Sequence, residues 1–261
     1  MPGSYYNGGC NKTMPIQSLN KGSKRKLLAA FLILIVIPLT ILAGVFYLDD
    51  RKYYFISMLI IVYTMLPFAM VFEQRGPRAR ELILIAVLAA LAVAGRSAFY
   101  MVPQFKPVVA IVIITGVCLG AEAGFLVGAL AGFVSNFFFG QGPWTPWQMF
   151  CFGIIGFIAG LLFQKGKLPK SRLSLCLFGG LATFLIYGGI INLGSLLMFT
   201  SDFSWKALLA TYISGFWFDI IHALSTIVFL FLIARPMIEK IERVKIKYGM
   251  IEPGDDKKQS S

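Results

Sequence analysis

Asp219 and His222 stand three residues apart in the run WFDIIHALS, inside an apolar stretch long enough to span a membrane. A helix there carries both side chains on one face. A carboxylate at the bilayer centre costs on the order of 2.5 to 3.5 kcal/mol on insertion scales, so it needs a partner or a task. Two readings stand: an internal hydrogen-bonded group with Asn192 as the third member, or contact with a ligand. His222 is the only histidine, and one Asp with one His is too small a ligand set for zinc. No metal site and no catalytic residue are therefore assigned. A membrane enzyme using this pair on a lipid or isoprenoid substrate lacks the acidic motif of a lipid transferase.

A second group of polar side chains lies at the ends of apolar runs. Arg96, Tyr100 and Gln104 follow one of them, and Asn192 interrupts another. Asn136, Gln141, Trp144, Trp147 and Gln148 belong to NFFFGQGPWTPWQM, residues 136 to 149, which is uncharged, aromatic and broken by Gly and Pro. Irregular backbone between membrane-length segments must face an aqueous end, a cavity or other protein. A few polar groups among aromatics is the usual make-up of a ligand pocket. The competing reading of Trp144 and Trp147 is the interfacial aromatic belt, although Gly140, Gly142, Pro143 and Pro146 favour a shaped loop.

The elements that must position these residues are membrane helices. The chain of 261 residues is 57% hydrophobic and 14% charged, with a mean hydropathy of +0.76, which describes a polytopic α-helical membrane protein. A net charge of +12 raises the possibility of nucleic acid, but the basic residues sit in tails and short loops, the topogenic pattern of membrane proteins. Cys10, Cys118, Cys151 and Cys176 have no metal or redox spacing and read as small fillers. No signal peptide is apparent, because the first apolar run follows a polar tail and is itself long enough to span.

Taken in order, residues 1–26 form a cytoplasmic tail and 27–79 a transmembrane hairpin, with spans Leu27 to Leu48 and Tyr53 to Phe72. Residues 80–236 form a six-helix core, and 237–261 a second cytoplasmic tail. The core spans are expected at Leu82 to Ala98, two within Pro107 to Phe139, then Trp147 to Gln164, Leu173 to Phe199 and Ala207 to Ala234. The stretch Pro107 to Phe139 is too long for one span and slightly short for two; one span would put Lys165, Lys167, Lys170 and Arg172 outside, so a tight turn at Gly120 to Gly124 divides it into a short helix and a longer one. The resulting eight spans place 19 of the 24 Lys and Arg residues on one side, leaving Arg51, Lys52, Arg96, Lys106 and Lys206 on the other. The excess of positive charge puts both termini in the cytoplasm. Residues 136–149 are then an outer loop, beside those at 96–106 and 201–206.

Small residues recur at spacing four: Ala86, Ala90 and Ala94 in the first core span, Gly124, Gly128 and Gly132 in the third, with Gly153, Gly156 and Gly160 in the fourth. Such faces let helix backbones approach closely in lipid. For the glycines the reading is packing within the bundle; for the alanines, an internal contact and a partner-docking face both stand. There is no GxxxxGK[ST] phosphate loop, no HExxH or GxSxG, and no ladder of membrane charges. The chain has no energy source of its own and no cofactor of its own.

The runs ELILIAVLAALAVAGRSAF, VPQFKPVVAIVIITG and GAEAGFLVGALAGFVSNFFFGQGPWTPWQM resemble the substrate-binding S subunits of energy-coupling factor (ECF) vitamin transporters, over about Arg80 to Pro236. The aromatic loop looks most like cobalamin-type members; riboflavin or another vitamin is the alternative, as is a membrane assembly protein without transport. The resemblance implies an all-α, non-enzymatic cell-membrane protein that binds a vitamin near the outer surface under the loop after the first core helix. It implies that Ala86, Ala90 and Ala94 dock on a transmembrane coupling subunit driven by two cytoplasmic ATPases, the module that binds ATP in this ABC-type system. Transport by toppling of the whole subunit is also implied, and the added hairpin at Leu27 to Phe72 departs from the family's six spans.

Overall fold

The computed structural model describes residues 79–250, apart from 165 and 200–203. The expected N-terminal tail and hairpin, the last residues of the C-terminal tail and residues 201–203 of the loop 201–206 lie outside the described residues. What is described is entirely helical: α1 Ala79–Ala98, α2 Val108–Leu119, α3 Ala121–Phe139, α4 Trp144–Ala159, α5 Arg172–Leu181, α6 Gly189–Phe199 and α7 Trp205–Lys247. α4 continues into a π-helical turn, Gly160–Gln164, and a second π-helical segment, Ala182–Gly188, joins α5 to α6 as one rod. The six rods match the six expected core spans. Five of them are long and apolar enough to cross a membrane.

The exception is α2, whose twelve residues are all buried. At 1.5 Å per residue it is roughly 18 Å long, short of the ~30 Å hydrocarbon core. Its apolar side chains meet protein on every side rather than lipid, which is how so short a helix is tolerated. The turn to α3 is tighter than expected: Gly120 alone, at φ 105°, reverses the chain, and Ala121 to Gly124 are already helical. A Cβ on Gly124 would lie 2.8 Å from the Gly116 Cα, so the two helices touch at backbone distance directly beyond the turn.

The glycine stripes do what their spacing predicts. A Cβ on Gly124 would sit 2.7 Å from the Gly156 carbonyl carbon, and one on Gly128 2.5 Å from the Phe152 carbonyl carbon. Gly153 receives the Phe125 ring, and Gly160 sits against the Gly120 backbone. α3 and α4 thus pack backbone to backbone. Lipid supplies no hydrophobic drive between helices, so this intimacy must come from van der Waals contact.

Serine caps open the two long rods: Ser171 Oγ accepts from the Ser174 N–H at 3.2 Å, and Ser204 Oγ from the Ala207 N–H at 3.1 Å. The last helix does not stop near Ala234 but continues through Pro236 to Lys247. It continues because it still has a surface to cover: Ile241 is buried, and Met237 and Ile238 pack on the core. Lys245 Nζ donates to the Cys118 carbonyl at 2.7 Å, and Arg80 Nη1 donates to the Tyr248 carbonyl. The beginning of α1 and the end of α7 therefore meet at one end of the bundle. That end also holds Lys167, Lys170 and Arg172, whereas Arg96, Lys106 and Lys206 belong to the opposite, sparsely charged end.

Gly128→Leu must displace backbone rather than a side chain, so it should cost at least about 3 kcal/mol, the upper range for overpacking. Gly189→Ala adds a methyl where nothing lies within 4 Å. Thermal unfolding in detergent should show a large loss for the first and none for the second.

Candidate functional site

At the sparsely charged end, one guanidinium gathers four rods. Arg96, in the last turn of α1, is only 7% exposed. Its Nη1 donates to Ser135 Oγ and, at 2.8 Å, to Asn136 Oδ1, both in the last turns of α3. Its Nη2 donates to Gln148 Oε1 in α4 at 3.4 Å. Asn136 Nδ2 donates to Thr145 Oγ1 and to Gln148 Oε1, each at 2.9 Å. Thr145 in turn donates to Gln141 Oε1 at 2.9 Å, and Gln148 Nε2 reaches the Tyr187 hydroxyl at 3.4 Å in the π-helical segment.

Aromatic faces complete the surroundings. Arg96 Cζ lies 4.4 Å from the Phe139 centroid and 5.8 Å from that of Phe152. Lys106, in the loop after α1, places its Nζ 5.2 Å from the same Phe139 ring, and Tyr100 packs on it at 4.9 Å between centroids. Burial, and then the charge of Arg96, hold the Lys106 pKa below its ordinary value. Among the described residues the hydrogen-bond partners of Arg96 are all neutral. A buried cation without a carboxylate is costly, and two ring faces offset only part of that cost.

A second polar group lies along α6 and α7. Asn192 Nδ2 donates to Asp219 Oδ2 at 2.6 Å. Glycines make room for the pair: a Cβ on Gly188 would lie 2.6 Å from the Asp219 carboxyl carbon, and one on Gly215 2.9 Å from the Asn192 amide carbon. His222 does not join them. It is 4% exposed and stands edge-on to Tyr187 at 4.6 Å and to Phe152 at 6.5 Å, and its buried Nδ1 has no hydrogen-bond partner among the described residues. The expected pairing with Asn192 is formed by Asp219, while His222 turns to the aromatic pair because the two side chains meet different neighbours across α7.

The stretch 136–149 is less of a loop than its composition suggests. Asn136 to Phe139 end α3, only residues 140–143 are irregular, and Trp144 begins α4. Trp144 caps this corner, its indole N–H donating to the Gly140 carbonyl at 3.3 Å. Gln141 is exposed and also donates to the Phe133 carbonyl at 3.0 Å. Trp147 points inward, its ring over Gly194 and its buried Nε1 without a hydrogen-bond partner among the described residues. Tyr100 is exposed, and Gln104 sits in the loop at φ 56° outside the Arg96 network. Sequence reasoning missed Ser135, Thr145, Phe139, Phe152 and Tyr187. Tyr187 carried a signal, since a tyrosine deep in an apolar run needs a hydrogen-bond partner.

On the outside of α1, Ala86, Ala90 and Ala94 are exposed, while Ile85, Leu88, Ala89, Ala92 and Arg96 face the bundle. The alanine face is thus turned away from the other core helices.

Arg96→Lys keeps the charge but loses the planar fork that serves Ser135, Asn136 and Gln148 together. It should cost about 1 to 3 kcal/mol by leaving buried acceptors unmet, measurable as a lowered unfolding temperature.

Comparison with known proteins gives this architecture its place. The family model described as "ECF-type riboflavin transporter, S component" matches residues 78–242. A UPF0397 protein of Vibrio atlanticus is 31% identical over 124 residues, 45% of this chain and 68% of its own length. UPF0397 proteins of Aliivibrio salmonicida and Aliivibrio fischeri are 34% and 32% identical, over 38% and 45% of this chain and 55% and 67% of theirs. No solved structure matches the chain significantly. With more than half its length matched and its apolar helices in place, the chain belongs to the S components of ECF-type transporters, multi-pass cell-membrane proteins that act as substrate-specificity subunits and are not enzymes.

Proposed function

We propose that this protein captures a vitamin of the riboflavin class at its outer end and hands it to an ATP-driven partner module. The observation that carries the ligand class is Arg96, a buried cation whose described partners are neutral, set with the amides of Asn136 and Gln148 among aromatic rings. A flat heterocycle with a dione edge offers the acceptors that such donors seek and the π surface that Phe139, Phe152 and Tyr187 suit. The description of the matching family model names riboflavin, which favours the same class. The sparsely charged end is outer by the positive-inside rule, with both termini cytoplasmic. Cobalamin is the second reading, supported by the likeness of the GQGPWTPWQM corner to cobalamin-type members; the short span of irregular backbone there, residues 140–143, argues for the smaller ligand.

Coupling falls to the other side of α1. The exposed face of Ala86, Ala90 and Ala94 supports docking of a transmembrane coupling subunit that joins the protein to two cytoplasmic ATPases. Small residues there allow close helix contact.

Purified protein should quench riboflavin fluorescence with a Kd in the micromolar range or tighter. Binding of cobalamin in place of riboflavin would transfer the assignment to the second reading, and binding of neither at micromolar concentration would overturn both. Ala90→Phe should leave riboflavin quenching unchanged while abolishing copurification with the coupling subunit; an intact complex would remove the docking role.

A further inference from the structure

Two features of α7 are left unused by the Arg96 network: the unpartnered His222 and the Asp219–Asn192 pair one turn nearer the start of the helix. They are linked to that network through consecutive residues. Tyr187 accepts from Gln148 and packs on His222, and Gly188, next in the chain, lies under the Asp219 carboxylate. Both residues belong to the π-helical segment Ala182–Gly188. Such widened turns recur at functional sites because they redirect side chains that an α-helix would aim elsewhere.

His222 Nδ1 is the telling atom. It is buried in a helix otherwise flanked by lipid-length apolar runs, and it has no hydrogen-bond partner. Trp147 Nε1, from the facing helix α4, is in the same condition. An unmet polar atom in such surroundings costs several kcal/mol, and no group among the described residues answers either one, so both have a hydrogen bond to offer a bound molecule. A hydroxyl suits either tautomer of a neutral imidazole, because it both donates and accepts. The Asp219 carboxylate, which receives a single amide hydrogen bond from Asn192, has acceptor capacity left for a hydroxyl as well.

Resting on the riboflavin-class reading above, we infer that His222, with Asp219 and Asn192, forms a second subsite that takes the hydroxyl-bearing chain of the ligand, while the Arg96 network takes its ring. His222 is then a specificity-determining residue. It distinguishes a ring that carries a polyol tail from the bare ring.

The test compares riboflavin with lumiflavin, the same isoalloxazine ring with a methyl group in place of the polyol chain. Wild-type protein should bind both, riboflavin more tightly. His222→Leu should weaken riboflavin on the order of tenfold, the effect of one neutral hydrogen bond left unmade, and leave lumiflavin unchanged; His222→Gln, which retains a hydrogen-bonding group, should recover part of the loss. Unchanged lumiflavin binding shows that the variant is folded. Equal weakening of both ligands, or of neither, would overturn the subsite while leaving the riboflavin reading intact. Failure of wild-type protein to bind either ligand would overturn that reading and the subsite with it.

Discussion

The backbone contact between α3 and α4 is the constraint on which the other features depend. In lipid, helices gain nothing by hiding apolar side chains from water, so two rods must touch closely to stay together. Gly124 and Gly128 on one and Gly153, Gly156 and Gly160 on the other remove every Cβ that would hold the axes apart. The same contact places the end of α3 beside the start of α4. Asn136 and Gln148 consequently fall within hydrogen-bond reach, and Arg96 has something to bind.

How much of this was legible in the sequence depends on which physical signal each element carries. The core rods follow from hydropathy, and the division of residues 107–139 follows from charge, since length left it open and a single span would put Lys165, Lys167, Lys170 and Arg172 outside. Gly120 was a clear stop signal, but spacing could not say that one residue suffices for the turn. The continuation of α7 through Pro236 was hidden, because proline argues locally for an end while the packing of Ile241 and the reach of Lys245 to the Cys118 carbonyl argue for more helix. Aromatic residues were the least legible. Phe139 and Trp144 look alike on paper, yet one sits under a guanidinium and the other caps a corner.

The polar residues divide in a similar way. Arg96, Asn136 and Gln148 were visible as outliers at the ends of apolar runs, and they converge. Asp219 and His222 were visible as a spaced pair, and they part, since two residues three positions apart on one helix share a face but not a neighbour. Tyr187 was passed over because a tyrosine among apolar residues is ordinary by composition. Its importance comes from a π-helical turn, for which no sequence pattern was available. The neutral partners of Arg96 and the open valence of His222 Nδ1 are both properties of what surrounds a residue rather than of the residue.

The brevity of α2 shapes the molecule's outline. Ser225 donates to the Lys106 carbonyl at 3.1 Å, and residue 225 lies well inside a helix that begins at 205. At 1.5 Å per residue, α7 extends roughly 30 Å beyond that contact, with the α5–α6 rod paired along it through Asn192 and Tyr212. The loop leading into α2 therefore meets α7 near its middle rather than at its start. The two halves of α7 thus have different neighbours, α6 along the first and α2 along the second, where Lys245 reaches the Cys118 carbonyl.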